Sequence, residues 1–388
     1  MSGPFEDVDL ARLRRRRTVK WSLFGPRVLA AWVAEMDFDV APPVRSAILD
    51  AVDREDFGYV TADLRELTTA CADFFADWYG WAVPPTRIFA VADVLTGISA
   101  AFDVFVAPGR SIVVPTPAYP PFFEIVELAG RDVVAVPMVS EAGRDALDLE
   151  GIDVALRAGA GAVLLCNPHN PTGRAFTSEE LGALAAVVDR HGARVVADEV
   201  HAPLVHAGHG HIPYASVSAA AADHSVTVTS ASKAFNLAGL KCAQVVATNH
   251  ADAARWRSLR VFEVAGPTPI GIAATTAAYR DGRQWLRGLV EHLDGNRRLL
   301  FDRLGAEVPG IRGRPPEATF LAWLDCSALG LADPARWLLD RAEVALSDGP
   351  PFGPGCEQHV RLNFGTSTAL LEQIVGRISA SVEALPAP

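Results

Sequence analysis

Between about Arg87 and Thr248 short apolar, β-branched runs alternate with amphipathic stretches, and no other feature of the chain narrows its possible folds as far. The rhythm reads as successive βα units: a strand covered on both faces is apolar throughout, while its crossover helix is apolar on one side only. The runs predict strands over 111–114, 133–136, 162–166, 194–197, 226–229 and 243–247. Thr177-Ser178-Glu179-Glu180 reads as a capping box opening a helix to about His191, with Thr177 as N-cap and Glu180 at the third helical position. The expected class is α/β, a mostly parallel sheet between helices.

After Pro269 the texture changes to one long Ala-rich, then Arg/Leu-rich helical stretch ending near Leu304, followed by strand candidates at 319–324 and 360–363. The division this predicts is a large domain over 46–283 and a smaller α+β domain formed by 1–45 and 284–388. A chain of 388 residues is long enough for two such cores. With 35 basic and 46 acidic residues the net charge is −11, which opposes binding to nucleic acid or an anionic membrane. The basic run 14–17 reads as a solvated segment, with a phosphate or partner-subunit contact as the alternative. Cys71, Cys166, Cys242, Cys326 and Cys356 are odd in number and show neither redox nor zinc-knuckle spacing, so reduced thiols and a cytoplasmic setting are expected. No apolar run of membrane-spanning length and no apolar signal core are present, so neither secretion nor membrane insertion is expected.

In open α/β sheets ligands collect beyond the carboxyl ends of the strands. Polar residues fall at four such places: Tyr119, then Asn167 and Asn170, then Asp198 and His201, then Ser230 and Lys233. One shared site explains them better than four coincidences. Lys233 follows an apolar strand among small hydroxyl residues, a setting that removes solvent and favours the neutral amine needed for a Schiff base. Asp198 ends an apolar run, where a carboxylate is costly unless it meets a cation such as a pyridinium nitrogen; a helix cap or structural ion pair is the alternative. His201, His206, His209 and His211 do not read as a metal site, because Pro203, Gly208 and Gly210 break any regular presentation and no carboxylate or cysteine completes a ligand set.

The strings NPHNPTG (167–173), ADEVHAPL (197–204), SASKAFNLAGLK (230–241) and VRLNFG (360–365) resemble, in order, the signatures of fold type I pyridoxal 5'-phosphate (PLP) enzymes, the aspartate aminotransferase superfamily. With KWS at 20–22, WVAEMDF (32–38), FGY (57–59) and PAYPPF (117–122), the chain is similar to the cystathionine β-lyase branch of MalY/PatB type over nearly its whole length. The resemblance implies that Lys233 carries PLP and shuttles protons, Asp198 pairs with the pyridine nitrogen, Asn170 bonds the phenolic oxygen with His201 nearby, and Tyr119 stacks on the ring. It implies a phosphate grip from Ser230, Lys241 and the backbone N–H groups of Asp93, Val94 and Leu95 at a helix start. Tyr59 would reach the phosphate of a second subunit, making the protein a homodimer, and Arg361 would clamp a substrate α-carboxylate. Two departures stand out: Asp93 puts a carboxylate where glycine is common, compatible with a capping side chain turned away from the phosphate, and Gly365-Thr366-Ser367 replaces small residues and proline in a way that bears on substrate preference.

The implied reaction is α,β-elimination on an S-substituted cysteine such as cystathionine, yielding a thiol, pyruvate and ammonia. An aminotransferase would use the same residues, as would an enzyme of specialised metabolism, possible decarboxylation included, acting on an S-substituted cysteine. A PLP-binding regulator would need a further interaction segment, and the residues before Arg45 contain no helix-turn-helix pattern.

Overall fold

The computed structural model describes residues 5–61, 63–141, 143–260 and 263–385. Its larger sheet has seven strands: β1 (Ile88–Val91), β2 (Ile112–Thr116), β3 (Val133–Pro137), β4 (Ala162–Cys166), β5 (Arg194–Asp198), β6 (Ser225–Thr229) and β7 (Ala243–Ala247). They lie in the order β1-β7-β6-β5-β4-β2-β3, and only β7 runs antiparallel to its neighbours. The six predicted strands form within a residue or two of their expected bounds, and β1 is an addition. β2, β4, β6 and β7 are buried along their entire length, which is why apolar and β-branched residues dominate them, with Ser225 in β6 and Gln244 in β7 buried as well.

Two helices illustrate how the sheet is covered, and the second borders the site. The Ser178–Arg190 helix opens with the predicted capping box, Glu180 N meeting Thr177 Oγ1 at 3.2 Å and Thr177 N meeting Glu180 Oε2 at 2.7 Å. The Val94–Phe105 helix lies hard against the sheet at Gly97, where a Cβ would stand 2.8 Å from Val228 and 3.1 Å from Val245. A larger residue there would lift the helix, and its N-terminus with it, off the strand ends. Its other end is closed by buried Arg131, whose guanidinium donates to Phe102 O at 2.9 Å, Val106 O at 2.8 Å and Ala107 O at 2.7 Å. A cation suits that end, where unpaired carbonyls carry partial negative charge.

The smaller sheet is antiparallel, in the order β8 (Arg312–Gly313), β9 (Leu321–Asp325), β11 (His359–Asn363), β10 (Ser347–Asp348). Strand periodicity divides β11: Val360 and Leu362 join the apolar core, while Arg361 and Asn363 reach the backbone of Trp32 and Val33. Leu29–Ala30 pairs in parallel with Val344–Ala345, which ties the N-terminal segment to the C-terminal part. One expectation is corrected. The single helix from Pro269 to about Leu304 is two, Pro269–Asp281 and Arg283–Glu307, separated at Gly282. A Cβ on Gly282 would lie 2.5 Å from both the Phe235 ring and Ala278 O, so the junction has room only for glycine. Among the described residues no helix is long and apolar enough to cross a membrane.

Candidate active site

A cavity of about 230 Å³ opens at the carboxyl ends of β4, β5 and β6. Ten of the twelve residues expected at the site line it: Asp93, Val94, Leu95, Tyr119, Asn170, Asp198, His201, Ser230, Lys233 and Lys241. Arg361 joins them from the smaller sheet, donating from Nη1 to Asn170 Oδ1 at 2.9 Å. Tyr59 stands apart.

At one end of the cavity the charges are uncompensated. Asp198 is buried, accepts one hydrogen bond from Val200 N at 3.0 Å, and has no ion-pair partner among the described residues. Burial pushes its carboxyl up to about 7, against the pull of that hydrogen bond and of Lys233. Lys233 donates to Ala34 O at 3.0 Å; loss of solvent around the amine, reinforced by Arg361, brings its pKa down to about 8. His201 is buried, its Nδ1 has no partner, and burial holds the ring neutral by lowering its pKa well below the ordinary value. Arg361 is buried as well. Its Nη2 donates to Ser347 Oγ at 3.1 Å and Trp32 O at 3.2 Å, and its guanidinium lies 5.0 Å from the Phe352 ring centre. With Asn170 Oδ1 taken by Arg361, the Asn170 amide NH2 remains to donate into the cavity.

At the other end Ser230 Oγ donates to Cys242 O at 2.7 Å and accepts from Ser232 N at 3.1 Å. The first N–H groups of the Val94–Phe105 helix face the same end, where they suit an anion. Asp93 caps this helix, as its position suggested, but it is not turned away: its second oxygen meets Lys241 Nζ at 2.7 Å.

Tyr59 is fully exposed and Phe57 60% exposed, beside an open groove between the helices Pro42–Asp53, Arg65–Tyr79 and Pro269–Asp281. Gly365, Thr366 and Ser367 do not line the cavity; Ser367 caps the Thr368–Glu383 helix and Thr366 O accepts from Asn296. Several participants escaped the sequence reading. The carbonyls of Trp32 and Ala34 belong to the WVAEMDF string, and that stretch is held by Lys20, which donates to Glu35 O at 2.8 Å and pairs with buried Asp37 at 2.9 Å. The string was visible, but backbone acceptors carry no side-chain signal. Ser347 and Phe352, which hold Arg361, lie in segments without a motif.

The fold and this pocket define a class. The family model for aminotransferase class I and II matches residues 33–378, and the chain belongs to that family. Within it, the chain is 38% identical to the cystathionine beta-lyase of Corynebacterium glutamicum over 373 residues, covering 96% of this chain and 98% of that one. It is 36% identical to the cystathionine beta-lyase PatB of Bacillus subtilis, with 94% and 97% covered. The crystal structure of the PLP-bound C-S lyase from Staphylococcus hominis superposes with a TM-score of 0.91 at 25% identity, covering 99% of this chain and all of that one.

Proposed function

We propose that this chain is a PLP-dependent carbon–sulfur β-lyase that cleaves cystathionine or another S-substituted cysteine to a thiol, pyruvate and ammonia. The observation that carries the reading is that Asp198 and Lys233 line one cavity and Arg361 is bonded to Asn170 in its wall, none of the three with an ion-pair partner among the described residues. The donor set fits the cofactor. A buried carboxyl with no cation of its own suits a protonated pyridine nitrogen, the Asn170 amide and partnerless His201 suit the ring's polar edge, and Val94 and Leu95 present N–H groups to a phosphate. Bound there, PLP supplies an electron sink for the pair left when Cα loses its proton.

The remaining work falls to the protein. Lys233 Nζ, its pKa lowered to about 8, would hold the cofactor and, as a free amine, would take the Cα proton of the substrate. Arg361, steadied by Asn170, Ser347 and the Trp32 carbonyl, would grip the α-carboxylate and so orient the Cα proton for removal by Lys233. Tyr119 covers the ring face. The Cβ–S bond breaks with its electron pair on sulfur, Tyr119 or Lys233 returns a proton there, and the released enamine hydrolyses to pyruvate and ammonia.

Residues 46–283 form the cofactor-binding domain in this reading, and 1–45 with 284–388 the smaller one. The working unit is a homodimer in which Tyr59 reaches the partner's phosphate; the fully exposed Tyr59 beside a groove supports this. Five buried free thiols support a reducing, cytoplasmic setting. The test is incubation of purified protein with cystathionine and no keto acid. Equal amounts of pyruvate and free thiol are expected. Turnover only when a keto acid is supplied, with no thiol, would overturn the lyase in favour of an aminotransferase.

A further inference from the structure

The phosphate end of the cavity holds a fixed negative charge. Asp93 Oδ1 accepts from Thr96 N at 2.8 Å, which pins the carboxylate as the N-cap of the Val94–Phe105 helix. Its Oδ2 accepts from Lys241 Nζ at 2.7 Å. Burial works against the charged form, yet the hydrogen bonds from Lys241 and Thr96 outweigh it, so the carboxyl stays below its ordinary pKa and is ionised at neutral pH. Of the Asp and Lys side chains lining the cavity, Asp198 and Lys233 serve the ring end, leaving Asp93 and Lys241 as an internally neutral pair at the other. A phosphate seated on the Val94 and Leu95 N–H groups finds one lysine, and that lysine already has a carboxylate.

The two partners differ in freedom. Lys241 is 53% exposed and Asp93 33%, and an ion pair that open to water is weak, so the flexible lysine can turn to a phosphate at small cost. Asp93 cannot retreat, because leaving would uncap the helix. Serine or asparagine caps a helix equally well without the charge, so capping alone does not call for a carboxylate here.

Building on the reading that this cavity takes PLP, we propose that Asp93 is a positioning residue that weakens the hold on the cofactor's phosphate, by competing for Lys241 and by repelling the dianion, so that the cofactor exchanges readily with solution. The electrostatic cost of one misplaced unit charge at a partly solvated site corresponds to about tenfold in affinity.

The experiment titrates cofactor-free full-length protein with PLP and, separately, with pyridoxal, which lacks the phosphate, following the visible absorbance of the Lys233 linkage. Asp93→Ser and Asp93→Asn each keep a capping oxygen and remove the charge. Both are expected to bind PLP about tenfold more tightly, with release slowed to match, and to bind pyridoxal as the wild type does. Unchanged or weaker PLP binding in variants that melt like wild type overturns the role of Asp93, as does an equal gain for pyridoxal, which would place the effect outside the phosphate. Wild-type protein that takes up neither ligand overturns the PLP reading itself, and this inference with it.

Discussion

At the ring end of the cavity Asp198, Lys233 and Arg361 stand without ion-pair partners among the described residues, whereas at the phosphate end Asp93 and Lys241 neutralise each other half in water. The difference separates what the protein commits to from what it leaves adjustable. Unpaired charge away from solvent shifts pKa values strongly and makes each group's protonation depend on what it meets, as the carboxyl near 7 and the amine near 8 show. Charge paired at the surface is screened and adds little. Substitutions at the ring end should therefore cost far more than those at the exposed elements, and the experiments below test that ordering.

The largest effect is expected for Asp198→Asn. A neutral amide no longer holds the ring nitrogen protonated, so turnover should fall by roughly 10² or more while PLP remains attached to Lys233. Steady-state kinetics on the PLP-loaded variant check this. Activity within a few-fold of wild type would break the claim that the unpaired carboxyl is what drives the chemistry.

Arg361→Lys comes next. Lysine keeps the charge but loses the fork, and with it the simultaneous hold on Asn170, Ser347 and the Trp32 carbonyl. The expected loss in kcat/KM exceeds about tenfold, because misplacing Cα also slows proton removal. Comparing cystathionine with a carboxyl-free amine analogue sharpens the point: wild type should prefer the acid strongly, the variant weakly. An unchanged preference would assign the carboxylate to another residue.

How much of this was legible depended on whether the information resides in side chains. The central strands were readable because burial on both faces favours apolar and β-branched residues, and the four polar clusters at their ends marked the cavity. Ile88-Phe89-Ala90-Val91 carries a weaker strand signal because it follows directly on a Pro-rich turn. The break at Gly282 was hidden because helical periodicity runs through it, and the Phe235 ring that leaves room only for glycine there lies 47 residues away in sequence. Asp198 and Lys233 announced themselves by charge in apolar surroundings, and Arg361 by the VRLNFG string around it. The carbonyls of Trp32 and Ala34, which hold two of them, could not, since every residue has one.

Lys233 offers a smaller, pH-dependent test. Attachment of PLP needs the neutral amine, and because loss of solvent lowers the lysine's pKa to about 8 the rate should level off above that value and decline as pH falls through it. Between pH 8 and pH 7 the neutral fraction drops roughly fivefold. Stopped-flow absorbance on cofactor-free protein should show an inflection near 8. An inflection near the ordinary lysine value would mean that the amine is solvated before PLP arrives, and would erase the contrast between the two ends.

The smallest effect is expected at Tyr59, the most exposed of the expected site residues. If its hydroxyl donates to the partner subunit's phosphate, Tyr59→Phe removes one hydrogen bond of about 0.5–1.5 kcal/mol and should weaken PLP binding by about two- to thirteenfold, leaving pyridoxal binding unchanged. Mixing distinguishes the chain that supplies it. In a hybrid of Tyr59→Phe and Lys233→Ala chains, the only site able to attach PLP has its lysine from the first chain and, by this reading, an intact Tyr59 from the second. Wild-type affinity should return at that site. Weak binding that persists after subunit exchange is shown by mass spectrometry would place Tyr59 against its own chain's phosphate, and equal affinity of Tyr59→Phe and wild type before mixing would remove it from the site altogether.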